Sequence, residues 1–123
     1  ASSNELWRAS LDVIDFMPLS SVNYSGGIII TDWYSEKNSP NESIKISIRF
    51  LTNEIRSDAL DIKIFSRKCI DSLVNCSVSN LSGNLTTEIK KEILKKAAIY
   101  KQQGIEESPK KDFVYPDTSG GVF

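Results

Sequence analysis

The chain has 123 residues, 40% of them hydrophobic and 25% charged, with 15 basic side chains against 16 acidic ones and no histidine. That length suits one compact domain with a single core, and the balanced charge excludes the clustered basic excess of a nucleic-acid footprint. The longest apolar run, Gly26 to Ile30, is far short of the roughly 20 residues a membrane helix needs, so no transmembrane segment is expected.

The opening ASSNELWRAS is polar and reads as a helix start, with Ser2 and Glu5 at capping-box spacing. Leu6, Trp7, Leu11, Val13, Ile14 and Met17 recur on one side of that helix, and Glu5, Arg8, Asp12 and Asp15 take the other. Pro18 is expected to end it, because proline lacks a donor and disfavours helical geometry in the residue before it. Leu19 to Gly27, rich in Ser and Gly, reads as a loop. Gly26 and Gly27 precede a strand rather than opening a helix, the wrong order for a phosphate loop, and fit a tight turn instead.

Ile28 to Tyr34 is β-branched and aromatic enough to predict a strand. Strict alternation turns Ile28, Ile30, Asp32 and Tyr34 inward and leaves Ile29, Thr31 and Trp33 outward. In a simple meander this strand is also an edge, so Ile29, Thr31 and Trp33, beside the Leu19–Ser25 loop, either form a docking row or are covered by the C-terminal Phe113, Val114 and Tyr115 or by a further strand. Asp32, on the inward row, needs a donor such as Arg49, Arg56 or a tyrosine hydroxyl; it reads as a structural acid or a binding-site acid.

SEKNSPNES carries turn chemistry. Ile44, Ile46, Ile48 and Phe50 then alternate with Lys45, Ser47 and Arg49, and Leu60, Ile62 and Ile64 alternate with Asp61 and Lys63, giving strands with one dry face each. A weaker fourth strand covers Val74 to Ser79. Cys69 and Cys76 suit a bond across that hairpin in an oxidising compartment and two thiols in a reducing one. A second helix runs from Asn84 to about Gln103, with Leu85, Ile89, Ile93, Ala97 and Tyr100 on one arc and Gly104 as its stop. Residues 104–123 read as a flexible tail in which DFVYP can dock as a short strand.

The order helix, strands, helix predicts an α+β domain over residues 1–103: an antiparallel sheet of three to five strands with the N- and C-terminal helices packed on one face. The chemistry is sparse. Lack of histidine removes the commonest general base and transition-metal ligand, and two cysteines are too few for a structural zinc site. No metal, no cofactor and no enzymatic activity are expected; a hydrolase built on Asp32 with Asp58 or Asp61 lacks a complete set of acid, base and nucleophile.

LWRASLDVIDFMPLSS, GGIIITDWYS, SPNESIKISI and IRSDALDIKIF resemble, in that order, a family of alphaproteobacterial exported proteins, domain of unknown function 3576, many of whose members are lipoprotein-like. The resemblance spans Leu6 to Tyr100 and rests on Trp7, Phe16 to Leu19, Gly27, Thr31 to Tyr34, Pro40 to Glu42, and Arg56, Asp58 and Leu60. More distantly, a helical Trp followed by G-x-I-x-T-D-W is similar to the repeated helix-grip domains of BamC, a lipoprotein of the outer-membrane β-barrel assembly machinery. The resemblance implies a periplasmic, outer-membrane-associated domain, tethered through an N-terminal lipid anchor lying outside this sequence. Its expected role is a non-catalytic protein-binding or assembly module of the cell envelope, with Ile29, Thr31, Asp32, Trp33 and Tyr34 as the binding residues and the edge of the first strand as a route to a homodimer. The alternative is a carrier of a small apolar ligand or lipid, held between helices and sheet.

Overall fold

The computed structural model describes residues 4–71, 74–81 and 83–111. Helix α1, Glu5–Val13, begins at Asn4, whose side-chain oxygen accepts the Trp7 N–H at 3.2 Å. This satisfies one of the orphan donors of the first turn. Asn4 thus does the work expected of Ser2, which lies outside the described residues. The helix stops at Val13, before Pro18 is reached, and the chain winds on through a turn in which Met17 N–H donates to Ile14 carbonyl at 3.0 Å. Ile14 and Met17 are still buried, so the apolar spacing is used by helix and turn together.

Five strands follow: β1 Leu19–Asn23, β2 Ile28–Thr31, β3 Glu42–Phe50, β4 Leu60–Asp71 and β5 Val74–Leu81, and then helix α2, Asn84–Lys111. The strands form one antiparallel sheet in the order β1-β2-β3-β4-β5. The architecture is α+β. The expected loop after Pro18 is in fact β1, whose every residue is exposed, so no dry row marks it in the sequence. The turn into β2 is held by Asn23, whose Oδ1 accepts the Gly26 N–H at 2.7 Å, and by Gly27 at φ +68. A side chain at Gly27 would also approach the Phe50 carbonyl oxygen at 3.3 Å, so the turn requires glycine on two counts. With β1 in place, β2 is interior and offers no free margin for a homodimer; the margins of the sheet are β1 and β5.

Ile29 stands opposite Ile48, Ile48 opposite Ile62, and Ile46 opposite Ile64, so the dry rows of three strands coincide. Leu6 and Ala9 of α1 and Ile89, Ile93 and Ala97 of α2 close over that face to complete the core. The helices are joined by Tyr100, whose ring lies 3.7 Å beneath the Arg8 guanidinium and whose hydroxyl donates to the Asp12 carboxylate. Helix α2 passes through Gly104 and continues to Lys111. A helical glycine costs only about 1 kcal/mol relative to alanine and does not end a helix by itself. The boundary expected at residue 104 therefore falls inside α2, while Phe113, Val114 and Tyr115 lie outside the described residues.

Candidate functional site

The segment that follows β2 changes which side chains reach the surface. Ile30 pairs with Ser47 and Tyr34 with Ile44, so the β2 side carries one residue more than β3 between these pairs. Such a bulge interrupts the ladder and shifts the side-chain alternation. The Ile46 N–H, left without a backbone acceptor there, donates to the Thr31 hydroxyl at 2.9 Å.

Ile29, opposite core Ile48, and Thr31 are 0% exposed and belong to the core, not to a docking row. Ile28 and Ile30, expected inward, are half-buried on the outer face. Asp32 is exposed and needs no internal donor, while Arg56, one donor considered for it, pairs with Glu54 and Asp58. Tyr34 lies opposite Ile44 and packs edge-to-face on Phe16 at 5.4 Å, on the helix side. Of the five expected binding residues, Trp33 alone keeps its place on the outer face; it is half-buried there.

Trp33 meets polar residues of two neighbouring strands. Arg67 of β4 places its Cζ 4.5 Å from the indole centroid, and Lys45 of β3 its Nζ 5.5 Å away. Ser43, opposite Arg67 in the register and buried, accepts from Arg67 Nε at 3.2 Å. The half-buried side chains of Ile30 and Phe65 share this helix-free side of the sheet. The site is an aromatic ring flanked by two cations on a partly apolar surface. Such a surface can bind.

A concavity of about 370 Å³ lies on the helix side, lined by Phe16, Tyr34, Ile44, Ser66, Lys68 and Leu81 among others. At the far end of the sheet Cys69 and Cys76 stand directly opposite each other and are joined by a disulfide, with Cα atoms 3.9 Å apart. None of the described helices is long and apolar enough to cross a membrane.

The family model described as Domain of unknown function (DUF3576) matches residues 1–102. The chain is also similar to Uncharacterized protein RP420 of Rickettsia prowazekii (strain Madrid E), at 41% identity over 86 residues, covering 68% of this chain and 52% of that protein. The chain thus spans about half the length of that curated relative. No solved structure matches it. The family match takes in both the bulged Trp33 segment and the strands that carry Lys45 and Arg67, and the chain belongs to the DUF3576 family.

Proposed function

We propose that this domain is a non-catalytic protein-binding module of the bacterial cell envelope, of the helix-grip, BamC-like kind, located in the periplasm and tethered to the membrane by a lipid anchor in the full-length protein. The observation that carries the reading is Trp33, a large aromatic held half-buried between Arg67 and Lys45 on the face of the sheet opposite both helices. Aromatic and arginine side chains are the groups most enriched at the centres of protein interfaces. The Cys69–Cys76 disulfide supports an oxidising compartment, since such bonds persist in the periplasm and are rare in the cytosol.

A carrier of a small apolar ligand is the second reading. It is favoured by the concavity beside Phe16 and Tyr34, whose volume of about 370 Å³ lies at the small end of the ligand-pocket range. A lipid that co-purifies and is seen by native mass spectrometry supports this reading.

The test places a photo-crosslinking residue at the exposed Lys63, on the outer face, and at the exposed Glu88 of α2 as a control. Envelope fractions are expected to give a discrete adduct from position 63 and none from position 88. Trp33→Asp is expected to abolish the adduct while the circular dichroism spectrum stays unchanged. Absence of any adduct from position 63, or an adduct indifferent to Trp33→Asp, refutes the reading.

A further inference from the structure

Two cations approach Trp33, and among the described residues neither has a carboxylate to answer it. Among the described residues the ion pairs are those of Arg56 with Glu54 and Asp58, so Arg67 and Lys45 take part in none. Ser43 stands opposite Arg67 and Lys45 opposite Phe65, which makes Lys45 and Arg67 diagonal neighbours across β3 and β4. Backbones at that spacing are roughly 7–8 Å apart, close enough for long side chains of like charge to repel. Arg67 is nevertheless fixed: its Nε donates to buried Ser43, and its guanidinium lies over the indole. Its two terminal nitrogens have no acceptor among the described residues.

The surroundings do not neutralise the pair. Between Ser43 and Arg49 on β3 and between Asp61 and Arg67 on β4 the single acid is Asp61, which stands directly opposite Arg49. Lys63, opposite Ser47, joins Lys45, Arg49 and Arg67 as the fourth cation of the same face. Asp32 is exposed and forms no ion pair with either flanking cation.

We propose that Arg67 and Lys45, with Trp33 between them, form a carboxylate-binding site that receives an acidic, extended segment of a partner protein. This deepens the protein-binding reading above and rests on it. A guanidinium with its terminal nitrogens free matches a carboxylate in a bidentate fork, and Ile30 and Phe65 offer apolar contact to the neighbouring side chains of the same segment. An anionic membrane is the weaker occupant. Lipid headgroup recognition relies on clusters of about four to eight Lys or Arg, whereas one of the four cations on this face, Arg49, stands opposite Asp61, and the chain carries a net charge of −1.

The test is NMR titration of the isotope-labelled full chain with a synthetic peptide in which adjacent Glu residues are flanked by Val and Leu, with the same peptide carrying Gln for Glu, and with phosphatidylglycerol vesicles. The Glu peptide is expected to move the Trp33 indole N–H and Arg67 Nε–H signals, more weakly as salt is raised, and the Gln peptide to leave them in place. Arg67→Lys keeps the charge and removes the fork, and is expected to weaken binding at least about tenfold. Ser43→Ala, which releases Arg67 Nε, weakens it less and shifts the Arg67 signal in the free chain. Equal binding of both peptides, no response to either, or full affinity in Arg67→Lys overturns the site; a response to vesicles alone overturns the protein segment in favour of a lipid headgroup. A position-63 adduct that survives Arg67→Lys while the peptides do nothing overturns this inference and leaves the protein-binding reading standing. Glu-peptide binding with no adduct from the envelope upholds the site's chemistry and defeats that reading.

Discussion

The Thr31 hydroxyl oxygen accepts the Ile46 backbone N–H at 2.9 Å, across fifteen residues of sequence and beyond the last β2–β3 pair, Ile30 with Ser47. Both groups are buried. Thr31→Val keeps the shape and removes the acceptor, leaving a buried donor unsatisfied, a penalty of about 1–3 kcal/mol. Urea denaturation of Thr31→Val should show a loss of that size, with faster amide exchange at Ile46. Thr31→Ser, which retains the hydroxyl, should keep Ile46 protected.

The bulge makes a second prediction, about the parity of β2. Ile29 is 0% exposed and faces the helices, whereas Ile30 is half-buried on the other side. Truncating a fully buried isoleucine to alanine costs about 2–5 kcal/mol through lost transfer energy and the cavity left behind. Ile29→Ala should fall in that range and Ile30→Ala well below it, because less apolar area leaves water at the second site. If the two variants melt in the opposite order, the sheet is turned over relative to its helices.

These two residues also mark where sequence reading reaches its limit. Ile44 to Phe50 and Leu60 to Ile64 could be read directly, because each apolar side chain is flanked by a Lys, Ser, Arg or Asp that declares the wet face. Ile28, Ile29 and Ile30 declare neither face, so their orientation is set by pairing with β3 and by the bulge before Tyr34. β1 could not be read, since Leu19–Asn23 is exposed along its whole length and has no dry row. Trp33 stood out by its size and by its setting in an apolar strand. Lys45 is an ordinary outward position in its strand pattern and Arg67 lies beyond the Leu60 to Ile64 alternation, and only the register that lays Ser43 against Arg67 brings them to the indole.

The Cys69–Cys76 bond closes a short loop, the two residues being seven apart in sequence. Closing a loop of that size removes unfolded-chain entropy worth about 2–3 kcal/mol at most. Every residue of β5 is exposed, so little core burial depends on it. Cys69→Ala with Cys76→Ala should therefore lower stability by no more than about 2–3 kcal/mol. The loss should be local: hydrogen exchange should quicken in β5 and in the partnered end of β4, while Ile46 and Ile48, on the β2 side of the sheet, keep their protection. Collapse of the whole domain would mean that the hairpin contributes to the core through contacts other than this bond.

The Arg8–Asp12–Tyr100 contact between the helices predicts an alkaline effect of definite sign. The Tyr100 hydroxyl is raised above its ordinary pKa of 10.0, first because it donates to Asp12, then through desolvation and the repulsion a phenolate would meet from the same carboxylate; Arg8 acts in the opposite direction. A raised folded-state pKa means the folded chain holds the proton longer than the unfolded chain. The stabilisation is fully present below the unfolded pKa, near 10, and disappears as pH climbs through the folded value. In an ultraviolet absorbance titration, the signal lost in Tyr100→Phe should have its midpoint above 10, moving down in Asp12→Asn and further up in Arg8→Gln. Any difference in stability between the native chain and Tyr100→Phe that stems from this bond should shrink through that alkaline range. A midpoint that ignores Asp12→Asn would show that the hydroxyl is not bonded to that carboxylate in solution.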